Sequence, residues 1–582
     1  MYNIEMSKDN LRILKLNENG KDRYIGSYYN HKRDINRFIK DIGEINDNSV
    51  IITYGITDGE YLLELSRIKE KNFKVIVLEK NEQLINNIIN DEYYNEVLND
   101  ERIKIFKYDE KEIKNIYKCE LNLSNIYNAK IVSNSGIYNS SKEMLRISQE
   151  LKTFISKNVL HNNTISYFSE RWFESFVKNF KYTLNSTFLD EIEGEYINKP
   201  AIILSAGPSL EKNINLLKQC NEEFIIISGG RTLSKLEEIN VKPDIIAIID
   251  GDERSYDLVK DNLNIDVPLV FCNYTNEEIV DNHVGKKIYD STGIDFIGPI
   301  VKKIQKPRFE GGSVAHSCIN TAIHLGCNPI VFIGQDLAYT NNKIHADFCE
   351  LKSKKYKEEE VFDNLKSEND IFIDDIYGNK VRTSLSLNTF RENIEEIIRE
   401  NKNVKFINAT EGGALINGAE VMTLQNVISL YGKNKIGDKV LHLNRTLKKE
   451  EKSKAICEFE KTLKYLKDMK IKCNKLIDLN KNLKVKYDKK KFEEYDKISS
   501  KMDILEEELK NLYLKVDYIR SLIYPIVMRV ELDDAWIVKD IDNEKEKFKK
   551  LYNKTDFLYS AIKKKVEYAL NFINKEWSIN EL

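Results

Sequence analysis

The sequence has few of the residues that mark several large protein classes. Its 582 residues include eight cysteines, eight prolines and seven histidines, and the cysteines form neither a C-x-x-C pair nor a Cys/His knuckle. This spacing argues against a disulfide framework or a zinc module and is typical of free thiols in a reducing compartment. No apolar run approaches the roughly 18 to 20 residues of a membrane span, and the N-terminus lacks a signal-peptide pattern. The sequence therefore predicts a cytoplasmic protein without membrane insertion.

An excess of one charge is also absent. Lys and Arg total 90 against 93 Asp and Glu, which gives a net charge of -3 at pH 7. Because no global basic field exists, the composition predicts no nucleic-acid partner. The G-x-x-x-x-G-K-[ST], H-E-x-x-H and G-x-S-x-G motifs are missing as well, which excludes P-loop kinases, zincins and α/β-hydrolases.

Residues 1–140 are predicted to form a Rossmann-like α/β domain that begins with polar helix and turn material. The strand Val50–Tyr54 runs into a turn with Gly55 and Gly59, and the next predicted strand ends on Glu79. An acidic residue about 20 positions beyond such a turn is where dinucleotide-binding folds hold a ribose. The turn GITDG does not match G-x-G-x-x-G, however. The sequence leaves open whether this region binds a cofactor or serves only packing and partner contact.

Residues 141–195 are predicted to form a helical connector. The segment ISYFSERWFESFVKNFKY places aromatic and apolar residues at spacings of three and four: Trp172, Phe173, Phe176, Val177 and Phe180. Such a stripe is more typical of a helix packed between two domains than of a ligand-binding aromatic box.

The central region, residues 196–435, is predicted to be an α/β domain with a mostly parallel sheet. Small or polar residues follow five predicted strands, in the turns Ser205-Ala206-Gly207, Ser228-Gly229-Gly230-Arg231, Asp250-Gly251-Asp252, Asn273-Tyr274 and Gly334-Gln335-Asp336. Ligands of open parallel sheets bind outside the carboxyl ends of the strands, so we expect these turns to face one cleft. The turn 205–209 leads into a predicted helix, and its unpaired N–H groups are expected to bind an anion.

A second glycine turn and one histidine add to this cleft. Gly311 and Gly312 precede Ser313, which we expect to cap the next helix and to leave its N–H groups open to a ligand. Two histidines within that helix, His316 and His324, are expected to pack rather than to react. His345 lies in a polar loop, where it is either a general base that works near neutral pH or an ordinary loop histidine.

Asp250 and Asp252 form a D-x-D pattern with two interpretations. In many sugar-nucleotide transferases such a pair holds Mg²⁺ or Mn²⁺, which prefer oxygen ligands. Alternatively, Asp250 alone binds a ribose hydroxyl and Asp252 is a solvated turn residue. The sequence does not decide between the two.

Residues 436–582 are predicted to form a helical bundle. One amphipathic stripe runs through Phe459, Leu466 and Leu476, and another runs from Ile498 towards Ile519. A bundle with solvated outer faces is the default for balanced charge, and a protein-binding platform is the functional alternative. Pro525 is expected to end or kink the second long helix.

Several motifs together resemble one protein family: SAGPSL, ISGGR, IIDGD, EGGSVAHSCINTAIHLG, FIGQDLAYTNNKIHAD, VRTS and NATEGGALINGAE. In this order they look like the central domain of the motility accessory factor (Maf) flagellin glycosyltransferases. That domain is distantly similar to bacterial sialyltransferases and to archaeal hydroxymethylpterin diphosphokinases. The resemblance implies a Rossmann-like N-terminal domain, a sialyltransferase-like central domain and a C-terminal helical bundle, the last a possible flagellin-binding platform.

The resemblance also implies an activity. It implies transfer of a nonulosonic acid, of the pseudaminic or legionaminic type, from a CMP-activated donor to Ser or Thr of flagellin, a step needed for flagellar assembly and motility. His345, as the base, and Asp336 are the expected catalytic residues. The expected nucleotide- and donor-binding residues are Ser205, Gly207, Pro208, Ser209, Gly229, Arg231, Asp250, Gly311, Gly312, Ser313, Gln335, Tyr339 and Thr383. By analogy with sialyltransferases no metal is required, although Asp250 and Asp252 leave a divalent ion as an alternative.

Two other functions compete with this interpretation. The first is a diphosphokinase that moves pyrophosphate from ATP to a pterin alcohol, with Asp250 and Asp252 on Mg²⁺. The second is a flagellin chaperone or assembly scaffold without catalytic turnover.

Overall fold

The computed structural model describes most of the chain. Residues outside the description are 1, 19–20, 70, 135, 140, 292–295, 302–311, 350–370, 438, 440, 444–445, 534–535, 537, 539–540, 542 and 578–582. The chain divides into two compact units, one formed by residues 1–164 and 525–558 and the other by residues 165–524 and 559–582. The division into domains at residues 140, 195 and 435 stays a prediction. In the described part of the chain, no helix combines the length and the apolar character needed to cross a membrane.

The first unit contains seven strands within residues 2–131. Their bounds are β1 Tyr2–Met6, β2 Arg12–Glu18, β3 Lys21–Tyr24, β4 Val50–Tyr54, β5 Lys74–Glu79, β6 Ile103–Lys107 and β7 Ala129–Ile131. The parallel sheet has the order β6-β5-β4-β7. In sequence terms this is the 3-2-1-4 order of a Rossmann half, which confirms the predicted Rossmann-like fold. β4 is buried along its whole length, as expected for a parallel strand covered on both faces.

The prediction for the first residues of this unit was wrong. Residues 2–24 form an antiparallel sheet of order β1-β2-β3, not helix and turn material. In β2, Ile13 and Leu14 are fully buried, and Tyr2, Ile4 and Leu16 pack against the core. The apolar pattern of β2 is short and lies between Arg12 and Lys15, and the buried neighbours Ile13 and Leu14 point to opposite faces, so the alternation typical of a half-exposed strand is weak.

The helices of the first unit cover the parallel sheet. Their bounds are α1 His31–Ile42, α2 Glu60–Ser66, α3 Glu82–Ile89, α4 Asn95–Leu98, α5 Ile113–Glu120, α6 Gly136–Asn139 and the first part of α7 Lys142–Leu184. Buried residues form one apolar cluster that contains Ile51 and Val75 and a second that contains Ile52 and Ile76. Because neighbouring strand residues point to opposite faces, the two clusters lie on opposite sides of the sheet.

The second unit is built on a nine-stranded parallel sheet. The strands of this unit are β8 Thr187–Phe188, β9 Ala201–Leu204, β10 Ile225–Gly229, β11 Ile245–Ala247, β12 Leu269–Phe271, β13 Lys287–Tyr289, β14 Ile330–Ile333, β15 Ile371–Asp374, β16 Lys380–Thr383, β17 Phe406–Asn408 and β18 Glu420–Val421. The sheet order is β18-β17-β14-β9-β10-β11-β12-β13-β8, while β15 and β16 form a separate antiparallel pair. β9 lies between β14 and β10, so the direction of winding reverses there. This is the switch point at which parallel sheets open a ligand crevice.

Helices pack around this sheet and continue into the C-terminal region. Their bounds are α8 Leu210–Asn213, α9 Leu233–Glu238, α10 Glu253–Val259, α11 Glu277–Asn282, α12 Ile297–Val301, α13 Val314–His324, α14 Leu385–Glu400, α15 Leu424–Tyr431, α16 Lys449–Asp488, α17 Phe492–Tyr513, α18 Arg520–Leu532 and α19 Glu544–Glu576. The limits between the two units fall within α7, α18 and α19. The C-terminal region is helical, as predicted.

The aromatic stripe on α7 packs within the second unit. Phe173, Phe176 and Phe180 are buried, and the Phe176 ring stacks on Tyr518 with centroids 4.8 Å apart. The Phe180 ring lies 4.8 Å from that of Phe459 on α16. The stripe thus packs in the core of the second unit, and its expected place between two domains stays a prediction.

The prediction for Pro525 was wrong. The second long helix, α17, ends at Tyr513, and Pro525 lies inside α18. Pro525 is the sixth of the thirteen residues of α18, where it has no N–H to donate to the carbonyl of Ser521 one turn earlier.

Candidate functional site

A cavity of about 370 Å³ lies at the carboxyl ends of β9, β10, β11 and β14. It collects most of the residues that the sequence singled out. Of the predicted site residues, the cavity is lined by Ser205, Gly207, Gly229, Arg231, Asp250, Gly312, Ser313, Gln335, Asp336 and His345. Four of the five predicted strand-end turns thus converge on one cleft at the switch point of the sheet, whereas the fifth, Asn273-Tyr274 after β12, does not line it.

Two turns, after β9 and after β14, are locked together at the floor of this cavity. The hydroxyl of Ser205 donates to Oε1 of Gln335, and the Gly207 N–H donates to the Gly334 carbonyl over 2.8 Å. Gly334 has φ +63°, and a Cβ there would lie 2.2 Å from the Ser205 carbonyl oxygen. Only glycine permits this close approach of two backbones.

The turn after β9 offers fewer open N–H groups than the sequence predicted. The N–H of Gly207 is donated to Gly334, and the N–H of Ser209 points at both carboxylate oxygens of Asp336 over 3.3 Å. The following helix, α8, has only four residues and continues as a 3-10 helix, Ile214–Gln219. An anion at Gly207 or Ser209 would have to displace these hydrogen bonds, whereas the N–H of Ala206, which also lines the cavity, has no acceptor among the described residues.

Asp336 ties three segments together at the edge of the cavity. Its carboxylate accepts from the Ser209 hydroxyl and from the Thr340 hydroxyl, each over 2.6 Å, and its carbonyl accepts from the Ala414 N–H over 2.7 Å. A Cβ on Gly207 would lie 2.1 Å from Oδ1 of Asp336, so glycine is needed beside it. Burial raises the pKa of the Asp336 carboxyl, although the hydrogen bonds from Ser209 and Thr340 oppose that shift. The geometry shows a carboxylate that holds loops in place.

Arg231 and Asp250 place opposite charges in the same cavity. Arg231 lies in the 3-10 turn Gly230–Thr232 that follows β10, and Asp250 follows β11. Among the described residues no side chain or N–H hydrogen-bonds the Asp250 carboxylate, which is exposed towards the cavity. The surrounding protein still displaces water and raises the pKa of Asp250, while the charge of Arg231 works in the opposite direction. Asp250 is thus an acceptor available to a ligand.

Asp252, the second member of the D-x-D pattern, does not line the cavity. Its carboxylate caps α10 by accepting from the Arg254 N–H over 3.0 Å and also accepts from the Arg254 guanidinium over 2.7 Å. Burial alone would raise the pKa of Asp252, but the hydrogen bonds and charge of Arg254 outweigh it and lower the pKa. Within the described residues, no cluster of three or more His, Cys, Asp or Glu side chains is arranged to hold a metal ion. Asp250 thus faces the cavity, whereas Asp252 caps α10 and pairs with Arg254.

His345 lines the cavity in a half-buried position. Burial lowers its pKa to about 3, and the nearby positive charge of Arg231 adds to this effect. The imidazole is therefore neutral across the physiological range and has a free lone pair, but it is a weak base in the empty cavity. The expectation of a base that titrates near neutral pH does not hold for the protein without ligand.

The N-terminus of α13 forms another part of the wall. Ser313 caps this 11-residue helix and accepts from the Ala315 N–H over 3.4 Å, which confirms the predicted cap. Gly312 has φ +73°, a backbone conformation that suits glycine. Gly311, assigned to the same phosphate site, lies outside the described residues.

The two helix histidines do not line this cavity. His316 Nε2 lies 3.1 Å from the Phe390 carbonyl oxygen, and burial lowers the pKa of His316 to about 4. His324 Nε2 lies 3.1 Å from Asp190 Oδ1. These contacts agree with the packing role expected for both.

Four predicted site residues lie outside the cavity lining: Pro208, Ser209, Tyr339 and Thr383. The Thr383 hydroxyl is buried and donates to the Leu337 carbonyl over 2.8 Å. The Arg382 guanidinium covers the Tyr339 ring at 4.3 Å from its centroid. In this arrangement these residues shape the loops next to the cavity rather than face into it, and any contact of theirs with a donor stays a prediction.

The sequence reasoning missed the apolar part of the cavity lining. It consists of Leu258 and Val259 from α10 and Leu387 and Phe390 from α14, and Ser255 lies beside it. A signal was present, since Ser255, Leu258 and Val259 share one face of a helix and Leu387 and Phe390 share another. Assigning these faces to the cavity requires the tertiary fold, because α14 lies more than a hundred residues beyond α10 in the chain.

In the first unit, the space beside the Gly55 turn and Glu79, where the sequence left cofactor binding open, is filled by the chain itself. The Glu79 carboxylate accepts from the Ile56 N–H over 2.9 Å and from the Asn81 N–H over 2.7 Å. Gly55 has φ +96°, and a Cβ there would lie 2.7 Å from the Tyr138 ring. The acid and the glycine turn are therefore used to pack this unit, in line with the packing alternative.

Comparison with known proteins gives two matches that concern this site. Residues 174–342 match a family model described as 6-hydroxymethylpterin diphosphokinase MptE-like. That stretch contains the turns with Ser205, Arg231, Asp250 and Gln335, whereas His345 lies just beyond it. No curated protein matches the chain.

The fold is similar to a solved structure entitled "Structure of MAf glycosyltransferase from Magnetospirillum magneticum AMB-1". The TM-score is 0.61 at 12% sequence identity, and the match covers 98% of this chain and 93% of the other. The expected resemblance to the Maf family is thus confirmed at the level of the fold, with an MptE-like central region.

Proposed function

We propose that this protein is a glycosyltransferase that moves a nonulosonic acid, of the pseudaminic or legionaminic type, from a CMP-activated donor to Ser or Thr of flagellin in the cytoplasm. The observation that carries the proposal is the convergence of Arg231, Asp250 and the α13 N-terminus on one cavity at the switch point of the sheet. The fold similarity to a solved Maf glycosyltransferase supports the reaction class.

The cavity supplies two positive features for the single phosphate of a CMP-sugar. Arg231 carries a permanent charge, and its planar guanidinium binds phosphate oxygens in pairs. The capped N-terminus of α13 contributes the positive end of an 11-residue helix dipole. We assign Arg231, Gly312 and Ser313 to the phosphate.

Acceptor groups suited to hydroxyls lie nearby. Asp250 has a carboxylate without a hydrogen-bond partner among the described residues, so it is placed to accept from a ribose or sugar hydroxyl. Gln335 is held by Ser205 through its amide oxygen, which leaves the amide nitrogen to donate. Asp336 acts in this proposal by fixing the loops that carry Ser209 and Thr340.

The reaction needs little covalent chemistry from the protein. The bond between the sugar anomeric carbon and the phosphate oxygen breaks, the acceptor oxygen bonds to that carbon, and CMP leaves. The acceptor proton goes to Nδ1 or Nε2 of His345. Because the charge of Arg231 helps to lower the pKa of His345, a donor phosphate on Arg231 offsets that charge and makes the imidazole a stronger base. The bound donor thus offsets the smaller cause of the lowered pKa of His345, while burial, the larger cause, remains.

The proposal requires no metal. A CMP-sugar presents one phosphate, which Arg231 and the helix N-terminus balance, and Asp252 is committed to Arg254. If transfer persists in EDTA and is not raised by Mg²⁺ or Mn²⁺, this part of the proposal holds. Loss of transfer in EDTA that added Mg²⁺ restores would contradict it.

The main test is transfer in a purified system. The protein is incubated with unmodified flagellin from the same organism and with CMP-pseudaminic or CMP-legionaminic acid, and intact flagellin mass is measured. We expect mass steps of one nonulosonate that depend on the donor. Flagellin that stays unmodified with either donor, while still binding the protein, would favour the scaffold function instead.

The match to the MptE-like family model favours testing one other reaction, pyrophosphate transfer from ATP to hydroxymethylpterin. AMP release that depends on the pterin and Mg²⁺ would support it over glycosyl transfer. The commitment of Asp252 to Arg254 argues against the two-carboxylate Mg²⁺ site that such a reaction would use.

A further inference from the structure

The segment 248–252, which carries Asp250 to the cavity, has a hydrogen-bond donor for each of its backbone carbonyl oxygens. The oxygens of residues 248, 249, 250 and 252 accept, respectively, from the Thr275 hydroxyl over 2.8 Å, the Cys272 thiol over 3.7 Å, the Asn276 N–H over 3.0 Å and the Ser255 N–H over 3.1 Å. The first three donors belong to the turn after β12, which does not line the cavity. This turn therefore supports the Asp250 segment instead of facing a ligand.

The remaining carbonyl of this segment, that of Gly251, is held by Arg171 on α7. Nε of Arg171 donates to the Gly251 carbonyl oxygen over 2.8 Å. Gly251 has no room for a side chain, because a Cβ there would lie 2.6 Å from the carbonyl oxygen of Tyr274. The backbone next to Asp250 is thus fixed both by a guanidinium and by close contact with the turn after β12.

Glu277, the first residue of α11, orients the guanidinium of Arg171. Its two carboxylate oxygens lie 3.1 Å from Nη1 and 2.8 Å from Nη2 of Arg171, the paired geometry that fixes a guanidinium in one plane. Ser175 and Lys178 donate to the same carboxylate over 3.2 Å and 2.9 Å. Burial alone would raise the pKa of Glu277, but the hydrogen bond from Lys178 and the charge of Arg171 outweigh it and lower the pKa. Glu277 is therefore ionised at neutral pH and holds Arg171 in place.

We propose that Arg171 is a positioning residue, which fixes the backbone at Gly251 and thereby directs the Asp250 carboxylate towards a hydroxyl of the bound donor, a role that rests on the proposed function. Asp250 has no hydrogen-bond partner for its carboxylate among the described residues, so the backbone that carries it sets its direction. A carboxylate on a loose backbone would have to be ordered when the ligand binds, which costs affinity. A backbone that is already fixed avoids this cost.

The matched variants are Arg171→Met and Lys178→Met. Both side chains lie on α7, have similar exposed fractions of 25% and 31%, and pair with Glu277. Arg171 also reaches Gly251, whereas the other contact of Lys178 is with the Phe572 ring. Arg171→Lys serves as a second variant should Arg171→Met not fold, because it keeps a cation beside Glu277 but lacks the fork that binds Glu277 and Gly251 together.

The first measurement needs no ligand. The Asn276 amide reports on the Asp250 backbone because it donates to the Asp250 carbonyl. In the full chain without ligand, Arg171→Met and Arg171→Lys should speed the exchange of this amide at least about tenfold, and Lys178→Met should leave it within about twofold of the unaltered protein. Mass spectrometry of peptides that contain Asn276 measures the exchange. An acceleration in Lys178→Met as large as in Arg171→Met, or no acceleration in Arg171→Met, would overturn the proposal.

The second measurement is the kinetics of transfer to flagellin. Arg171→Met should raise KM for the CMP-activated donor about tenfold and leave kcat within about threefold, whereas Lys178→Met should change neither. In a chain that already contains Asp250→Asn, Arg171→Met should raise KM by less than about twofold further, because the two residues act as one unit. Fully additive effects, or a loss in kcat alone, would overturn the proposal.

The two measurements also separate this role from the proposed function. If the unaltered protein transfers neither donor, the proposed function fails. A selective effect of Arg171→Met on the Asn276 amide would then still support Arg171 as the residue that fixes the Asp250 backbone.

Discussion

The two strand-end crevices of this protein start from the same pattern and end in opposite states. In both, a buried parallel strand runs into a glycine turn and an acidic residue follows a neighbouring strand. In the first unit Glu79 accepts two backbone N–H groups, and Asp58, within the turn, lies 3.0 Å from His31 Nε2. In the second unit Asp250 has no such partner among the described residues and faces a cavity.

The difference shows what turns a strand-end motif into a site. Buried polar groups with internal partners add stability to the fold, whereas a polar group without one keeps its hydrogen-bonding capacity for a ligand. The type of residue is the same in both crevices. The decisive feature is whether the chain itself supplies the partner, and this can be tested separately in each crevice.

The largest expected effect is a loss of transfer activity when the cavity of the second unit, the open crevice, is altered. Arg231→Gln should lower flagellin glycosylation about 100-fold, which corresponds to about 2.7 kcal/mol of transition-state stabilisation, because the donor phosphate loses its guanidinium. Transfer rates from intact-mass time courses check this.

Arg254→Gln is the matched control, since Arg254 lies two residues beyond the Asp250 turn but outside the cavity lining. It should stay within about threefold of the unaltered protein. Equal losses in both variants would show that general charge, rather than the cavity, carries the effect.

The next effect is a loss of stability when the strand-end crevice of the first unit, the filled crevice, is altered. Glu79→Ala should reduce the free energy of unfolding by about 2 kcal/mol, since two buried N–H groups lose their acceptor, while the folded protein keeps its transfer rate. Urea denaturation, followed with a spectroscopic probe placed in each unit, measures the free energy of unfolding.

Glu82→Ala is the control because Glu82 is exposed and, among the described residues, forms its ion pair with Lys107. It should change the unfolding free energy by less than about 0.5 kcal/mol. A stable Glu79→Ala protein with reduced transfer would contradict the structural role of Glu79.

A smaller effect is expected from the acid of the open crevice. Asp250→Asn keeps the size of the side chain but weakens an acceptor, so transfer should fall about tenfold, about 1.4 kcal/mol, mainly through KM for the donor. Asp252→Asn should leave KM nearly unchanged, since Asp252 contacts Arg254 rather than the cavity. The reverse order of the two effects would support a metal-binding D-x-D pair.

The smallest effect concerns pH and the filled crevice. Burial works against protonation of His31, but the hydrogen bond and charge of Asp58 outweigh it and raise its pKa. A histidine with a raised folded pKa stabilises fully below its unfolded pKa, about 6.5, and this contribution is lost as pH rises through the folded value.

The first unit should therefore lose stability as pH increases from about 6.5 upward, and His31→Asn should remove that part of the slope. Unfolding free energies measured from pH 5.5 to 9 test this. An unchanged slope in His31→Asn would assign the pH dependence to other groups.

The sequence predicted the polar half of the site well for a physical reason. Parallel strands end at one edge, so Ser205, Arg231, Asp250 and Gln335 had to converge once the strands were recognised. The parallel sheet of the second unit followed from the same strands. The first sheet escaped notice because its alternation is short and flanked by charge.

What the sequence could not predict depends on contacts between distant segments. The pKa of His345 is set by burial and by Arg231, more than a hundred residues away in the chain. The commitment of Asp252 to Arg254 is a choice of rotamer and cap, which the letters D-x-D do not encode. The partner that fills the first crevice, Tyr138, lies beyond the last strand of its sheet.

The cavity has its polar groups on turns and its apolar wall on helices α10 and α14, and this separation matters for engineering. Substitutions at Leu258 and Leu387 reshape the cavity without touching Arg231 or the glycine contacts between turns, whereas Phe390 also lies against Gly312. Under the proposed function, a small combinatorial library at Leu258 and Leu387 would alter which sugar side groups are accepted while keeping the assigned phosphate contacts intact. The cavity thus offers a tunable surface beside a fixed one.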